Sequence, residues 1–386
     1  MPRAGHTRIG AAARLLTGVR ARVAAAATSA ERGLLGTRKG QSTMNAGGSS
    51  IHDEGRRSRG GRAIVPAMVL TLGLWTPWTA SAQGEWEKLP DMPVEKWEPG
   101  TVVLDDKLYL FGGYTESVTS SKLSYVFDPR DNSWTQIQDL PSAISHMNMV
   151  LDGRTVWFAG GYKDGYKGHT IAEVWSYDID DDRYTAAPLL PETRGGGGLA
   201  LVGRKLHYMG GVKADRDTDA PDHWVLDLDA WGKGSAQWTS AAPMPEPRNQ
   251  FSCVTFDGRI YAIGGQFHHD SVQLDQARVD IYDPGTDSWS IGPPLPKGHS
   301  HAEGSTFVHG GRIYMVGGHT TKPGETKQVD ADILSLSPGA QWELVGTLPM
   351  PLSSPAAAII GGRLYVAGGS PGGSVVQADM WVRDAP

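Results

Sequence analysis

A double glycine recurs six times along the 386-residue chain, and successive pairs begin 48 to 54 residues apart. A lone Gly-Gly can line a phosphate site, but the dinucleotide-binding and P-loop signatures need more glycines and a helix directly after the turn. The segment after the fourth pair, "QFHHDSVQLDQ", is no helix opening. A regular spacing near 50 residues is instead typical of a repeat architecture. The pairs are Gly112-Gly113, Gly160-Gly161, Gly210-Gly211, Gly264-Gly265, Gly317-Gly318 and Gly368-Gly369.

Each repeat contains four short predicted strands. An alternating or apolar strand ends at every Gly-Gly pair, and most of these strands follow a tight turn such as Asp257-Gly258, which is hairpin chemistry. A third strand follows, as in "VDIYDP", and an aromatic residue followed by Leu-Pro or Met-Pro marks the fourth. The aromatic residues of the first five repeats are Trp134, Tyr184, Trp238, Trp289 and Trp342.

This pattern resembles the kelch repeat of β-propellers, and the resemblance covers nearly all of residues 84–386. It implies an all-β fold, a six-bladed kelch β-propeller. The sixth repeat ends at Pro386 before its fourth strand, while "GEWEKLPDMP" at 84–93 carries Trp86 and a Leu-Pro step with no Gly-Gly before it. We therefore expect the N-terminal strand to complete blade six, which removes exposed sheet edges.

Residues 1–82 differ in composition from the repeats. They hold twelve Lys/Arg against three Asp/Glu, followed by an apolar run and Ala80-Ser81-Ala82. A basic flank, an apolar core and an A-x-A site describe a secretory signal peptide, which we assign to residues 44–82 with cleavage after Ala82. Residues 1–43 are then an N-terminal extension, either disordered or translated from a misassigned start.

Export predicts that the single kelch domain, residues 83–386, lies in the periplasm or outside the cell. An uncleaved membrane anchor is the alternative, although Pro66 and Pro77 interrupt an apolar run barely long enough to span a bilayer. We expect no stable membrane insertion after cleavage.

The electrostatic balance of the mature chain excludes some partners. Residues 83–386 carry 24 Lys/Arg against 39 Asp/Glu, a net charge of −15. Nucleic acid and anionic membranes are bound through positive charge, so neither is an expected partner. The single Cys253 cannot form an intrachain disulfide. We expect a monomer that binds a small polar ligand or a protein partner.

The loops of one propeller face are the predicted functional site. In an antiparallel meander, the segments after each Leu-Pro and those after each Gly-Gly share one face, here called the loop face, and the short turns share the opposite turn face. Binding loops on rigid scaffolds are long and polar, as these are. The segment "KADRDTDAPD" at 213–222 is predicted to be an exposed insertion. The candidate ligand-binding residues are Trp97, Tyr114, His146, Arg194, Arg248, Asn249, Gln250, Gln266, His268 and His319.

The segment "HSHAE" is the sharpest candidate constellation. In a strand, residues i, i+2 and i+4 share a side, so His299, His301 and Glu303 could together hold Zn, Mn or Fe. A polar pocket and surface histidines without a role are the alternatives. Arg194 and Arg248 are suited either to fix a ligand carboxylate or to form structural ion pairs between blades.

Two kelch enzyme families suggest possible chemistry. Galactose oxidase-like proteins hold copper with His and Tyr, one Tyr being cross-linked to a Cys, whereas a buried packing thiol is the simpler reading of Cys253. Periplasmic sialic acid mutarotases resemble the chain in blade number and export. Two hypotheses stay open: a binding propeller for a carbohydrate or a protein, or a carbohydrate-active epimerase or oxidase with Glu98, Glu303 or His301 as proton carrier. No cofactor is expected apart from a possible divalent metal.

Overall fold

The computed structural model describes residues 85–386, which form six antiparallel four-stranded sheets arranged as the blades of a propeller. The six-bladed prediction is confirmed. The predicted extension and signal peptide lie outside the described residues. Within residues 85–386, no helix is both long and apolar enough to cross a membrane.

The first three blades are continuous in sequence, and each runs outward from the strand nearest the channel. Blade one comprises Gly100–Leu104, Lys107–Phe111, Ser124–Asp128 and Ser133–Ile137. Blade two comprises Met149–Asp152, Thr155–Ala159, Val174–Asp178 and Arg183–Ala186. Blade three comprises Gly198–Val202, Lys205–Met209, His223–Asp227 and Thr239–Ser240.

The last three blades include the one that joins the two ends of the ring. Blade four comprises Ser252–Phe256, Arg259–Ile263, Val279–Asp283 and Ser288–Ile291. Blade five comprises Thr306–His309, Arg312–Val316, Asp332–Leu336 and Glu343–Thr347. Blade six comprises Ala356–Ile360, Arg363–Ala367, Met380–Asp384 and the N-terminal strand Glu87–Leu89.

The N-terminal strand pairs antiparallel with the last strand of the chain, so that Leu89 lies opposite Met380. Trp86, just before this strand, donates from Nε1 to the carbonyl of Thr347 in blade five at 2.9 Å. Arg363 in the second strand of blade six pairs with Glu87 at 2.7 Å. The two ends of the described chain are therefore held in one sheet.

The outer-strand aromatics of blades two to five connect each of these blades to the one before it. Trp238, Trp289 and Trp342 donate from Nε1 to carbonyls of the preceding blade at 2.9 to 3.1 Å. Tyr184 makes the equivalent contact through its hydroxyl at 3.3 Å. Since tryptophan carries a single donor on a large apolar ring, each contact combines burial with one fixed hydrogen bond.

The double glycines lie where neighbouring blades approach most closely. Both glycines of each pair have positive φ, a region that L side chains avoid. A Cβ on Gly112 would lie 2.6 Å from the carbonyl oxygen of Ile144. The second glycine of each pair donates its N–H to the entry segment of the next blade, as in Gly113 to the Ile144 carbonyl at 2.9 Å. Glycine is therefore required by the packing of the blades.

Short elements on the loop face and at one blade edge complete the fold. The loops hold three two-stranded hairpins: Tyr114–Thr115 with Thr119–Ser120, Gln266–Phe267 with Leu274–Asp275, and His319–Thr320 with Gln328–Val329. The helices of residues 85–386 are the 3-10 turns Glu116–Val118 and Glu303–Ser305 and the α-helix Leu228–Gly232. Asp227 caps that α-helix by accepting from the N–H groups of Asp229 and Ala230.

Candidate functional site at the propeller axis

Each blade places one residue in the left-handed backbone conformation just before its first strand. Their φ values fall between 45° and 61°, and four of them line a small cavity at the axis. We call this set the axial ring. Its members, in chain order, are Glu98, His146, Gly196, Gln250, His301 and Ser354.

Backbone hydrogen bonds connect most of the axial ring. The N–H groups of Gln250, His301, Ser354 and Glu98 each donate to the carbonyl of the preceding ring member, at 2.8 to 3.4 Å. Among the described residues no such bond connects His146 to either neighbour in the ring. The ring is thus closed by backbone on one side and by side chains around His146.

Most residues of the axial ring are of types that rarely adopt a left-handed backbone conformation. A left-handed conformation costs a residue with a Cβ about 1–2 kcal/mol, and Gly, Asn and Asp tolerate it best. Only Gly196 follows that preference. Because the fold repeats the conformation in every blade, the five polar side chains are maintained at a backbone cost, which is a feature of functional sites.

Three members of the axial ring bring their ligand atoms together. His146 Nε2 lies 2.8 Å from Glu98 Oε2, and His301 Nε2 lies 3.9 Å from Glu98 Oε1. One such atom from each residue forms a group in which all separations are within 4.8 Å. The preceding serine holds each imidazole at Nδ1, Ser145 at 2.9 Å and Ser300 at 2.8 Å. Both Nε2 atoms are therefore directed toward Glu98.

A second layer of aromatic side chains packs around these histidines. His319 stacks on His301 with ring centroids 4.0 Å apart. The ring of Tyr162 lies 4.9 Å from that of His146, and the ring of Tyr114 lies 5.5 Å from it. Burial lowers the pKa of His301 and of His319 well below its usual value. Both imidazoles are therefore neutral at neutral pH.

Arg216 covers one side of this aromatic layer. Its guanidinium lies 4.5 Å from the centroid of the Tyr162 ring and donates from Nε to Asp270 Oδ2 at 2.9 Å. Asp270 also lies 2.7 Å from His269 Nδ1. Hydrogen bonding from Arg216 lowers the pKa of Asp270 to about 2, and burial lowers the pKa of His269 to about 4. The Arg216–Asp270 ion pair is therefore held against the face of the Tyr162 ring.

A cleft of about 400 Å³ opens on the loop face beside Asp270. The loops after the Gly-Gly pairs of blades two, four and five line it, and they contribute Lys167, Lys322 and Lys327. Lys322 lies 3.9 Å from Glu325. Within residues 85–386 no ion pair involves Lys167 or Lys327, so the cleft carries two ammonium groups without a carboxylate partner.

Below the axial ring lies a cavity of about 10 Å³ that Gln250, Ser354 and Glu303 line together with Glu98 and His146. Desolvation at this position raises the pKa of Glu303 to about 8.

Farther along the axis, the inner strands enclose a channel cavity of about 610 Å³. Thr101, Met149 and Cys253 are among its lining residues, and burial raises the pKa of Cys253 to about 12. The thiol is thus protonated at neutral pH and lies on the channel wall.

The sequence profile of the Attractin/LZTR1 beta-propeller family matches residues 79–322. The chain belongs to this kelch-type family. A kelch repeat-containing protein of Arabidopsis thaliana is 26% identical over 77% of the chain and 75% of its own length. Kelch-like protein 26 of Danio rerio is 28% identical over 56% of the chain, which spans 35% of that relative.

Among solved structures, the propeller is similar to that of YjhT. The TM-score is 0.63 at 16% sequence identity, and the match covers 76% of this chain and 95% of the other. At this identity the likeness establishes a shared fold and nothing about the site.

Arg194 and Arg248, the predicted carboxylate-binding arginines, are buried in this kelch propeller away from the cleft. Arg248 has no exposed surface and donates to Asp280 Oδ2 at 2.7 Å and to the Gly264 carbonyl at 2.6 Å. Arg194 pairs with Asp222 and lies 4.7 Å from the ring centroid of Trp224. Both make structural ion pairs, and these form within a blade instead of between blades.

The predicted metal ligands His299, His301 and Glu303 do not converge. The prediction assumed strand alternation, but Glu303–Ser305 is a 3-10 turn and His301 has a φ of 57°. The left-handed residue breaks the alternation, so His299 turns inward and its Nε2 lies 2.6 Å from the Gly317 carbonyl. Of the three, only His301 belongs to the axial ring, and Glu303 lines the small cavity below it.

The remaining predicted ligand residues divide between the axis and the loops. Trp97 packs on Tyr114 with centroids 5.6 Å apart, next to His146. Asn249 and Gln266 are buried and joined by a hydrogen bond of 3.1 Å from Gln266 Nε2. His268 is exposed at a loop tip.

Two sets of residues escaped the sequence-based prediction. Arg216 belongs to the segment predicted as an exposed insertion, but it folds back over Tyr162, with 11% of its side chain exposed; the exposed-insertion prediction is wrong for this residue. Ser145 and Ser300 were not singled out either. A serine immediately before each axial histidine, as in "ISH" and "HSH", is a signal that could have identified them.

Proposed function

We propose that the loop face binds a small polar ligand of the carbohydrate class above the axial ring. The observation that best supports this is a concentration of buried polar atoms without hydrogen-bond partners. Native proteins leave few such atoms unpaired, so a cluster of them points to an occupant. They include Trp97 Nε1, Tyr162 Oη, Gln250 Nε2, Gln266 Oε1, Asp275 Oδ1 and Glu303 Oε1.

A hydroxyl-rich ligand suits this mixture of groups. Indole and amide N–H groups can only donate, whereas carboxylate and amide oxygens accept. A sugar hydroxyl does both, so one ligand can satisfy neighbouring groups of opposite kind. The cleft, about 400 Å³ in volume, is within the range of small-molecule sites. It meets the side chains around the axial ring at His269, whose ring lies 5.8 Å from that of His146.

The two unpaired lysines of the cleft favour a ligand with an acidic group. Lys167 and Lys327 come from loops of different blades and face the same cleft. A carboxylate placed between them would gain two charge-assisted hydrogen bonds. We therefore propose an acidic sugar in preference to a neutral one.

The test compares glucose with glucuronate, which differ only in the carboxylate at C6. The melting temperature should rise with glucuronate and rise less with glucose. A ligand that binds only the folded state stabilises it by about 2.7 kcal/mol at 100 times Kd, so the sugar that binds more tightly gives the larger rise at equal concentration. Lys327→Gln should reduce the response to glucuronate alone. Lys205→Gln on the turn face is the matched control and should leave both responses unchanged.

A response to neither sugar, at concentrations up to the solubility limit, would contradict the carbohydrate class. A protein segment would then become the better candidate for the loop face, as the open alternative from the sequence. Equal responses that survive Lys327→Gln would instead contradict the role of the acidic group.

The second candidate is a carbohydrate-active enzyme at the same site. One observation favours it: the three predicted proton carriers, Glu98, His301 and Glu303, gather at the axis, with Glu303 beside Glu98 in the small cavity. Proton NMR of freshly dissolved sugar measures the interconversion of anomers. An accelerated rate that Glu303→Gln abolishes would support catalysis, and a rate equal to the uncatalysed one would refute it.

We further propose that the protein is exported and cleaved after Ala82. The basic flank, apolar run and A-x-A site support this. N-terminal sequencing of exported protein should begin at Gln83, and a mature protein that retains residues 44–60 would contradict it.

A further inference from the structure

We propose that Glu98, His146 and His301 form a binding site for a divalent transition-metal ion, Zn²⁺ being the best match. The set joins two imidazoles and one carboxylate, which is a ligand set of catalytic zinc sites. The proposal goes beyond ligand binding in the cleft, because it concerns the metal alone and holds whichever ligand lies above it.

The distances suit a single ion. Two ligands of a tetrahedral zinc, each at about 2.1 Å from the ion, lie about 3.4 Å apart. The two separations at Glu98, 2.8 Å to His146 and 3.9 Å to His301, lie on either side of that value. One ligand atom from each of the three residues lies within 4.8 Å of the other two.

Glu98 Oε2 needs a partner that the protein does not supply. It is buried, and it lacks a hydrogen bond although His146 Nε2 lies only 2.8 Å away. The contact is close but not aligned for a hydrogen bond. A buried carboxylate without a partner is costly, and a cation between the two residues would satisfy both.

The groups around the two imidazoles are those that a metal site requires. A ligating histidine usually donates its other N–H to an oxygen, which fixes the tautomer and the ring orientation. The hydroxyl oxygens of Ser145 and Ser300 can accept from the Nδ1–H groups of His146 and His301 in this way. The Ser300 hydroxyl can in turn donate to His319 Nε2 at 3.2 Å. With the proton on Nδ1 of His301, every group of this hydrogen-bonded series has a partner. The same tautomer in both histidines leaves the Nε2 lone pairs of His146 and His301 directed toward Glu98.

A fourth coordination position has room for one water. The cavity below the axial ring, about 10 Å³ in volume, is near the minimum that holds a single water. Gln250 and Ser354 line it and offer hydrogen bonds to that water. Three protein ligands plus one exchangeable position is the arrangement of a catalytic site, as opposed to a closed structural one.

The experiment is a titration of the full chain, purified without a polyhistidine tag and dialysed against a chelator, with Co²⁺ as the spectroscopic probe. One equivalent should bind and produce visible d–d absorption of a four- or five-coordinate ion. Added Zn²⁺ should displace it and abolish the absorption. No binding at one equivalent would overturn the proposal.

The variants locate the site. His146→Asn, His301→Asn and Glu98→Gln should each weaken binding by more than about 100-fold, because losing even an outer-shell partner costs about 10–100-fold. Asparagine tolerates the left-handed backbone, and circular dichroism confirms folding. Ser145→Ala should weaken binding by about 10–100-fold.

His309→Asn, at an exposed position on the turn face, is the control and should bind normally. Binding of Co²⁺ that all three ligand variants retain would overturn the site, since the ion would then bind elsewhere. Sugar responses do not enter either readout, so the metal and the carbohydrate proposals fail separately.

Discussion

Replacing Arg248 with methionine is the sharpest test of whether the buried arginines serve stability or binding. In the structure Arg248 has no exposed surface. Its guanidinium donates to Asp280 and to the carbonyls of Gly264, Ala262 and Glu246 at 2.6 to 3.0 Å. Burial lowers the pKa of Arg248 below its usual value, although the adjacent Asp280 carboxylate opposes that shift.

The expected loss of stability follows from these contacts. Removing one partner of a buried ion pair costs about 3–5 kcal/mol because it leaves the other groups unpaired. Asp280 keeps a second partner in Arg278 at 2.8 Å, which places the loss near the lower end, about 3 kcal/mol. At roughly 2 °C per kcal/mol for a chain of this size, the melting temperature should fall by about 6 °C.

The assay pairs thermal melting with Co²⁺ titration at a temperature where the variant is folded. Binding by the folded fraction should be unchanged, because Arg248 reaches neither the cleft nor the axial ligands. The matched control is Arg154→Met, which removes an exposed arginine that pairs with Asp105 and Asp180 on the turn face; exposed pairs add little stability. An Arg248→Met protein that melts like wild type but has lost a binding activity would refute the structural role.

Three further predictions concern other parts of the propeller. Burial lowers the pKa of His207 to about 3 and that of His223 to about 4, against about 6.5 unfolded, so the unfolded chain binds more protons between these values. Stability should therefore fall as pH drops from about 6.5 toward 3. The urea midpoint should differ less between pH 7 and pH 5 in His223→Phe than in the wild type. An unchanged difference would show that His207 and His223 are not the source of the pH dependence. Trp86→Ala should destabilise the protein by about 2 kcal/mol in urea unfolding, and a wild-type midpoint would argue against closure through blade six. Gly195→Ala should lower the melting temperature, because its Cβ would lie 2.3 Å from Tyr162 Cζ, and unchanged melting would mean that the tyrosine moves freely.

Much of the fold was predictable because the packing of the blades repeats. Every blade needs glycine where a Cβ would meet the neighbouring backbone, as at Gly112, so the requirement recurs with the period of the blade. The outer aromatics recur for the same reason, since Trp289 and its counterparts make one such contact in each of blades two to five. A constraint imposed by every repeat leaves a periodic pattern in the sequence.

The axial site was predictable only in part, because the backbone conformation that defines it is not visible in residue type. Glycine would have marked a left-handed position, but five of the six positions carry polar side chains. The alternation rule therefore paired His301 with Glu303 and His299, whereas the structure pairs it with Glu98, about 200 residues earlier. Such pairs follow from ring closure and become predictable once equivalent positions of the repeats are aligned.

The asymmetry of the axial ring coincides with the proposed metal site. Blade three contributes only glycine, and the ring of Tyr162 fills the space beside Gly195. The backbone bonds that join the other ring members are absent on both sides of His146 within the described chain. Within the axial ring, His146 is thus held by side-chain contacts, between Glu98 and Tyr162. The six blades offer equivalent positions, but the position of His146 differs from the others. It is the position at which the Glu98 carboxylate, the imidazoles and the Tyr162 ring under Arg216 meet.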